Sequence, residues 1–330
     1  MARKKSTPSS APAGDAVSSG AADPVTTLLL EHAADIARQA AATAMFVYVD
    51  AVELAQLPFA GVSAPRVCYV TRRALGDVVA KESAVFIRVP DVPLTRMGQV
   101  KLAIFLATSR NLIQPGDRIV CLTGVAQSGA LDTLVVATVG RELEMFAAAQ
   151  GEAGIPGHIL PEVIERVVDI ASQLGHEGRE GKAVGMLMVV GDADRVREMS
   201  RQLILNPFHG YPPEQRNILD PTLEETIKEF ATMDGAFIVR GDGVIETCGA
   251  YLKIASKRII ELSRGLGARH HAAAAITAET DSIAVTVSES TGTVTIFRGG
   301  KIVTEIEKPR HPTPSREIAS ARGPARRGDT

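Results

Sequence analysis

Apolar and polar positions alternate along the chain in two successive runs of helix-like and strand-like segments. Asp23-Pro24 reads as an N-cap and first helical position, and Val25, Leu28, Leu29, His32, Ile36 and Ala40 follow at helical spacing, which predicts a helix to about Thr43. Short β-favouring runs over 45–49, 66–70 and 85–89 predict strands, with a short helix over 75–81 between the last two. Residues 95–109 predict a longer helix with Val100, Ile104 and Leu106 on its buried side. A Pro115-Gly116-Asp117 turn then leads to a strand over 118–123, a Gly-containing loop over 124–129 and a returning strand over 134–139. Strands alternating with helices at this pitch imply an α/β fold whose parallel sheet is covered on its faces.

The second run opens with a helix over 159–174 whose Leu160, Val163, Ile164, Val167, Val168, Ile170 and Ala171 form a broad apolar face, and Gly175 is expected to stop it. A polar loop over 176–182 feeds a strand over 183–190, followed by a short helix over 193–201 and a loop over 206–213. Asp220-Pro221-Thr222 caps a helix over 223–230. Strands over 236–239 and 244–247 flank the Gly241-Asp242-Gly243 turn, and further strands fall over 283–287, 293–297 and 301–305. The expected product is a mixed central sheet flanked by helices. The whole chain divides into a disordered tail over 1–23, an α/β domain over 24–149, a linker over 150–157, a second domain over 158–308 and a basic, disordered tail over 309–330.

Composition narrows the function. A length of 330 residues agrees with two domains, and a net charge of −2 with 4% aromatics and no Trp argues against a nucleic-acid surface. Cys68, Cys121 and Cys248 form no CxxC pair, so they read as buried reduced thiols and not as zinc ligands. No apolar run is long enough to span a bilayer, and the Arg3-Lys4-Lys5 start lacks the apolar core of a signal peptide, so a cytoplasmic protein without membrane association is expected.

The chemistry concentrates in two stretches. Asp234 heads an apolar strand, and Arg269-His270-His271 stand between glycines and an alanine-rich helical run, an arrangement suited to a metal and phosphates. Taken singly, Asp234 reads equally as a strand-initiating cap and the Arg-His-His run as a solvated helix start, whereas Glu289 reads first as a surface carboxylate. In the first domain, Thr123, Gly124, Ser128 and Gly129 could hold a phosphate or form a plain turn; without a following GK[ST] they are not a Walker A loop.

The order helix, strand, strand, then Gly116-Asp117, apolar strand, Thr123-Gly124, glycine loop and apolar strand resembles the α/β domain at the C-terminus of pyruvate kinases, over about residues 24–140. That resemblance implies a regulatory domain able to hold an anionic effector. More specific is the series Asp234-Gly235-Ala236, Gly249-Ala250-Tyr251-Leu252, Gly267-Ala268-Arg269-His270-His271-Ala272 and Val287-Ser288-Glu289 with Thr291-Gly292, together with Gly185 to Asp192 and Asn206-Pro207-Phe208. In order and spacing it resembles the diadenylate cyclase domain, over roughly 155–305.

This resemblance implies condensation of two ATP to cyclic di-AMP with release of two pyrophosphates. It assigns catalysis to Asp234, Arg269 and His270, and ATP binding to Gly235, Ala236, Leu252, Ala268, Arg269, His270, His271, Ala272 and Ser288. A divalent ion, Mn²⁺ or Mg²⁺, would be held by Asp234 and Glu289. Each such site holds one ATP, so a homo-oligomer with facing catalytic domains is implied. The chain departs from the family's Thr-Arg-His-Arg run at Ala268 and His271, losing a hydroxyl and a guanidinium. The alternative is an adenine-nucleotide sensor of weak or no catalytic activity.

Overall fold

A computed structural model describes residues 23–52, 65–73, 85–125, 128, 130–140, 155–253 and 266–308. The expected helix over 75–81, both tails, Gly129 and most of the 150–157 linker lie outside these residues.

The first layer begins with helix α1 (Pro24–Gln39), where the Asp23 carboxylate accepts a hydrogen bond from the Thr26 N–H at 2.9 Å. It ends short of the expected Thr43, because Ala41 turns to φ 51° and breaks the helical ladder. Strands β1 (Ala44–Tyr48), β2 (Arg66–Thr71) and β3 (Val85–Arg88), helix α2 (Arg96–Ser109), and strands β4 (Arg118–Thr123) and β5 (Thr133–Thr138) follow. They form a five-stranded sheet in the order β3-β2-β1-β4-β5. Its first four strands are parallel, as expected, whereas β5 returns antiparallel to β4. Helix α2 starts at the Thr95 hydroxyl, which accepts from the Gly98 N–H at 3.0 Å. Val100, Ile104 and Leu106 are buried, but so are Leu102, Ala103, Phe105 and Ala107. The helix is enclosed all round because it packs on β4 and also on elements of the second layer.

That second layer comprises α3 (Pro161–Glu177), β6 (Met186–Val190), α4 (Ala193–Glu198), β7 (Ser200–Gln202), α5 (Glu224–Phe230), β8 (Ala236–Val239), β9 (Ile245–Leu252), α6 (Ala268–Glu279), β10 (Ile283–Val287), β11 (Val294–Arg298) and β12 (Lys301–Ile306). The sheet is mixed, in the order β12-β11-β10-β6-β8-β9-β7, with β6 and β8 parallel and the other pairs antiparallel. Central β6 is apolar at every position because both faces are covered. Met186, Met188 and Val190 meet the α3 side, whereas Leu187 and Val189 meet the α6 side.

Three expectations are corrected. Gly175 does not end α3: the helix runs on to a cap at Gly178, where φ is 68°. A Cβ on Gly175 would lie 2.3 Å from the Gly292 carbonyl oxygen, so the glycine serves a close backbone contact with the loop after β10. Helix α4 stops at Glu198, and Ser200–Gln202 instead pairs with the end of β9. Strand β9 extends through Leu252, which places Gly249-Ala250-Tyr251-Leu252 inside the sheet.

The two layers are clasped by Arg110 at the end of α2. It donates to both Glu165 oxygens of α3, at 2.6 and 2.8 Å, and to the Phe86 carbonyl at 2.8 Å. No helix among the described residues is long and apolar enough to cross a membrane.

Candidate active site

The strand ends on one side of the second sheet collect most of the residues singled out above. Residues preceding β6 and β8, the ends of β9 and β10, and the first turn of α6 surround a cleft of about 1610 Å³. Asp234, Gly235, Ala236, Leu252, Ala268, Arg269, His270, Ala272, Ser288 and Glu289 all line it. His271 does not: one position further round α6, it is exposed and outside the lining.

Arg269 is the centre of charge. Its Nη2 lies 3.6 Å from Asp234 Oδ1, and its Nη1 lies 3.3 Å from Glu289 Oε2. The Arg269 side chain is 31% exposed and that of Asp234 95% exposed, so the carboxylate is available to a partner from the cleft. Room for the guanidinium comes from Gly185, just before β6, where a Cβ would stand 2.5 Å from Arg269 Nη1. Residues 185–192 belong to the stretch that resembles the diadenylate cyclase domain, but nothing in the sequence assigned Gly185 itself a role in the site.

Gly235 was expected to let a nucleotide approach the backbone. Its fold role is more demanding: φ is +108°, and a Cβ would lie 2.6 Å from the Gly249 carbonyl carbon of β9. Only glycine fits that crossing.

His270 faces the sheet. It is buried, edge-on to Phe297, with Nε2 3.5 Å from Thr295 Oγ1. Burial, and then the neighbouring His271, pull its pKa below the usual imidazole value, so at neutral pH the ring is uncharged. Its place is in the floor of the cleft, on neutral imidazole chemistry. The apolar wall is Leu187, Leu203 and Leu252, with half-exposed Tyr251 at the rim under the Arg201 guanidinium, 5.0 Å from the ring centre. Thr293, Thr295, Glu305, Glu307 and Lys308 complete the lining from β11, β12 and their flanks. Nothing in their local pattern marks them, because strand residues facing a cleft alternate like those facing solvent.

Among the described residues, no three or more His, Cys, Asp or Glu side chains gather as a metal cage. Asp234 and Glu289, gathered about one guanidinium, are instead a pair of hard oxygen donors. Such a pair fits Mg²⁺ or Mn²⁺ shared with substrate phosphates, since these ions take one or two protein carboxylates and complete their shell with water and phosphate oxygen. The cysteines stand apart from this chemistry: all three are free and buried, and burial pushes Cys68 and Cys248 up to about 11 and Cys121 to about 12.

A mixed α/β sheet with a phosphate-suited arginine at a helix start and exposed carboxylates beside it defines a nucleotide-binding domain. Residues 173–302 match the family model described as "DisA bacterial checkpoint controller nucleotide-binding", and residues 26–146 match "Probable sensor domain DacZ_P". The diadenylate cyclase of Methanocaldococcus jannaschii is 36% identical over 215 residues, covering 63% of this chain and 66% of that protein. That of Haloferax volcanii is 33% identical over 242 residues, covering 70% of this chain and 84% of its own length. The chain belongs to the diadenylate cyclase family, whose members are nucleotidyltransferases. For the N-terminal unit the match is to the sensor model, and the likeness to pyruvate kinase receives no support from it. Among solved structures, DacA from Staphylococcus aureus aligns at 23% identity over 43% of this chain and 84% of that one, with a TM-score of 0.28, too low to add to the argument.

Proposed function

We propose that the protein is a cytoplasmic diadenylate cyclase that joins two ATP into cyclic di-AMP and releases two pyrophosphates. The observation that carries this reading is the Asp234–Arg269–Glu289 constellation at the head of α6, in a chain 33–36% identical to diadenylate cyclases.

Phosphate oxygens of the nucleotide compete with both carboxylates for the Arg269 fork, which binds them and holds the α-phosphate in line for attack. Asp234 and Glu289, displaced from that guanidinium, would hold a divalent ion. When bound, the ion neutralises charge on the phosphates and lowers the pKa of an attacking hydroxyl. The adenine lies along Leu252 and Tyr251, and Ser288 offers a hydroxyl on the phosphate side. Neutral His270 seats the first turn of α6 on Thr295 and thereby positions Arg269. The 3′-hydroxyl that attacks belongs to a second nucleotide in a facing subunit, so the active unit is at least a dimer. The N-terminal unit has the place of a sensor domain.

Purified protein incubated with ATP and Mn²⁺ or Mg²⁺, with products separated by chromatography, is expected to yield cyclic di-AMP. Saturable ATP binding with no cyclic dinucleotide under either metal would replace this reading with the sensor one.

A further inference from the structure

A second cavity, of about 280 Å³, is bounded by α4, β7, β9 and the loop that carries Asn206 and Phe208. It shares no lining residue with the cleft around Arg269. Its walls are fixed by hydrogen bonds to β9. Gln202 donates from Nε2 to the Cys248 carbonyl, while its Oε1 accepts from Thr247 Oγ1 at 2.9 Å. Asn206 donates from Nδ2 to the Glu246 carbonyl at 2.8 Å, and its Oδ1 accepts from the Phe208 N–H at 3.0 Å, which sets the turn that follows.

The charge inside is unbalanced. Arg197, Arg201 and Arg216 line the cavity against a single carboxylate, Glu246. That half-buried carboxylate is shared out. Arg216 Nη1 lies 3.4 Å and Arg197 Nη1 4.0 Å from its Oε2, and Arg240, from outside the lining, stands 3.9 Å from its Oε1. A guanidinium fully engaged with a carboxylate sits at about 2.7–2.9 Å, so none of the three is held at that strength by Glu246. Arg197 also faces Asp194, at 4.0 Å, but that side chain is fully exposed. Arg201 pairs with no carboxylate among the described residues, and its guanidinium rests over the Tyr251 ring, 5.0 Å from the centre. Arg216 is anchored to the backbone, donating from Nε to the Tyr211 carbonyl at 3.0 Å and from Nη1 to the Ile245 carbonyl at 2.6 Å.

Guanidiniums that converge on a cavity with too little carboxylate to satisfy them suit an anion, and their planar forks match phosphate oxygens two at a time. Size narrows the class. Pockets for small molecules run to about 300–1,000 Å³, so this one takes a phosphate end and not a whole dinucleotide. We propose that the cavity binds an anion of one or two phosphoryl groups, gripped by Arg197 and Arg201 against the fixed charge of Arg216. The source is a free inorganic anion or the phosphate end of a nucleotide lying across the mouth. Because the cavity and the Arg269 cleft have separate linings, the proposal stands whether or not that cleft turns over ATP.

The test is calorimetric titration of the full chain carrying Arg269→Gln, without divalent metal, so that the cleft guanidinium takes no part. The probes are orthophosphate, pyrophosphate and ADP. Saturable binding of at least one is expected, weakened about tenfold by Arg197→Gln and by Arg201→Gln, two exposed side chains whose loss leaves the fold intact. Glu246→Gln should tighten it by about two- to fivefold, because the carboxylate competes for the same guanidiniums. Tighter binding of pyrophosphate than of ADP identifies a free anion, and the reverse order a nucleotide's phosphates; both orders support the site. No saturable binding of any probe would overturn the proposal, as would binding unchanged in both arginine variants. A tenfold loss in Glu246→Gln would overturn it too, by showing that the arginines serve only to enclose that carboxylate.

Discussion

Gly185→Ala separates the site from the fold. Gly185 is not at positive φ, so alanine brings no backbone strain there. The new methyl would stand 2.5 Å from Arg269 Nη1, 2.9 Å from Cζ and 3.2 Å from Glu289 Cβ. Ordinary contact lies at about 3.5–4.0 Å, so the guanidinium must retreat by about 1 Å. It can do so, because it is the far end of a flexible side chain. The cost therefore falls on geometry: a charge-assisted hydrogen bond contributes roughly 1.5–3 kcal/mol, and a displacement of about 1 Å at a reacting centre can cost about 10²-fold in rate. We expect kcat/KM for cyclic di-AMP formation to fall about 10- to 100-fold while the thermal midpoint stays within about 3 °C of wild type. Gly235→Ala is the contrasting case, with φ +108° and the Gly249-Ala250 backbone at 2.6–2.8 Å, neither of which can yield. It should lose about 3 kcal/mol or more of stability. The measurements are thermal melts and initial rates on both variants. Wild-type turnover in Gly185→Ala, or a melting loss as large as that of Gly235→Ala, would refute the reasoning.

Asp234→Asn should abolish metal-dependent turnover by about 10²-fold or more yet leave stability unchanged, because the side chain is 95% exposed; rates across a Mn²⁺ titration and a melt check both halves. His271→Ala should leave turnover within about twofold, since the side chain is exposed and outside the cleft lining; a tenfold loss would bring His271 back among the phosphate ligands. His270 has a depressed pKa in the fold, so the unfolded chain takes up its proton first on acidification. Its contribution to stability is therefore complete above about pH 6.5 and lost as pH falls through the folded-state value. Thermal midpoints from pH 7.5 to 5 should fall less steeply in His270→Gln than in wild type.

Much of the fold was legible because its signals are short. Asp23-Pro24 announces a helix start through a bond made within three residues, and that bond is seen at 2.9 Å. The apolar runs of β1, β4, β6 and β10 needed only their own β-favouring residues. Helix ends and glycines were harder. Gly175 was read as a stop because glycine after an apolar helix usually is one, yet its work is to admit the Gly292 carbonyl. For α2, periodicity assigned one buried face, and docking on β12 buried the rest.

The same division runs through the site. Residue types and motif order singled out Asp234, Arg269 and Glu289, which carry the charges that phosphate and a hard metal need. Their meeting is a matter of strand order. Asp234 precedes β8 and Glu289 follows β10, two strands that flank β6, while Arg269 arrives from the helix across their ends. The sequence by itself determined which segments are helix or strand and which side chains have the chemistry, because propensity and capping act over a few residues. The tertiary structure alone decided that Gly185 makes room for Arg269, that His271 is exposed outside the cleft lining, and that His270 is buried, where burial lowers its pKa. These depend on which strands lie side by side, and a period-two pattern of apolar residues is the same whichever neighbour it is given.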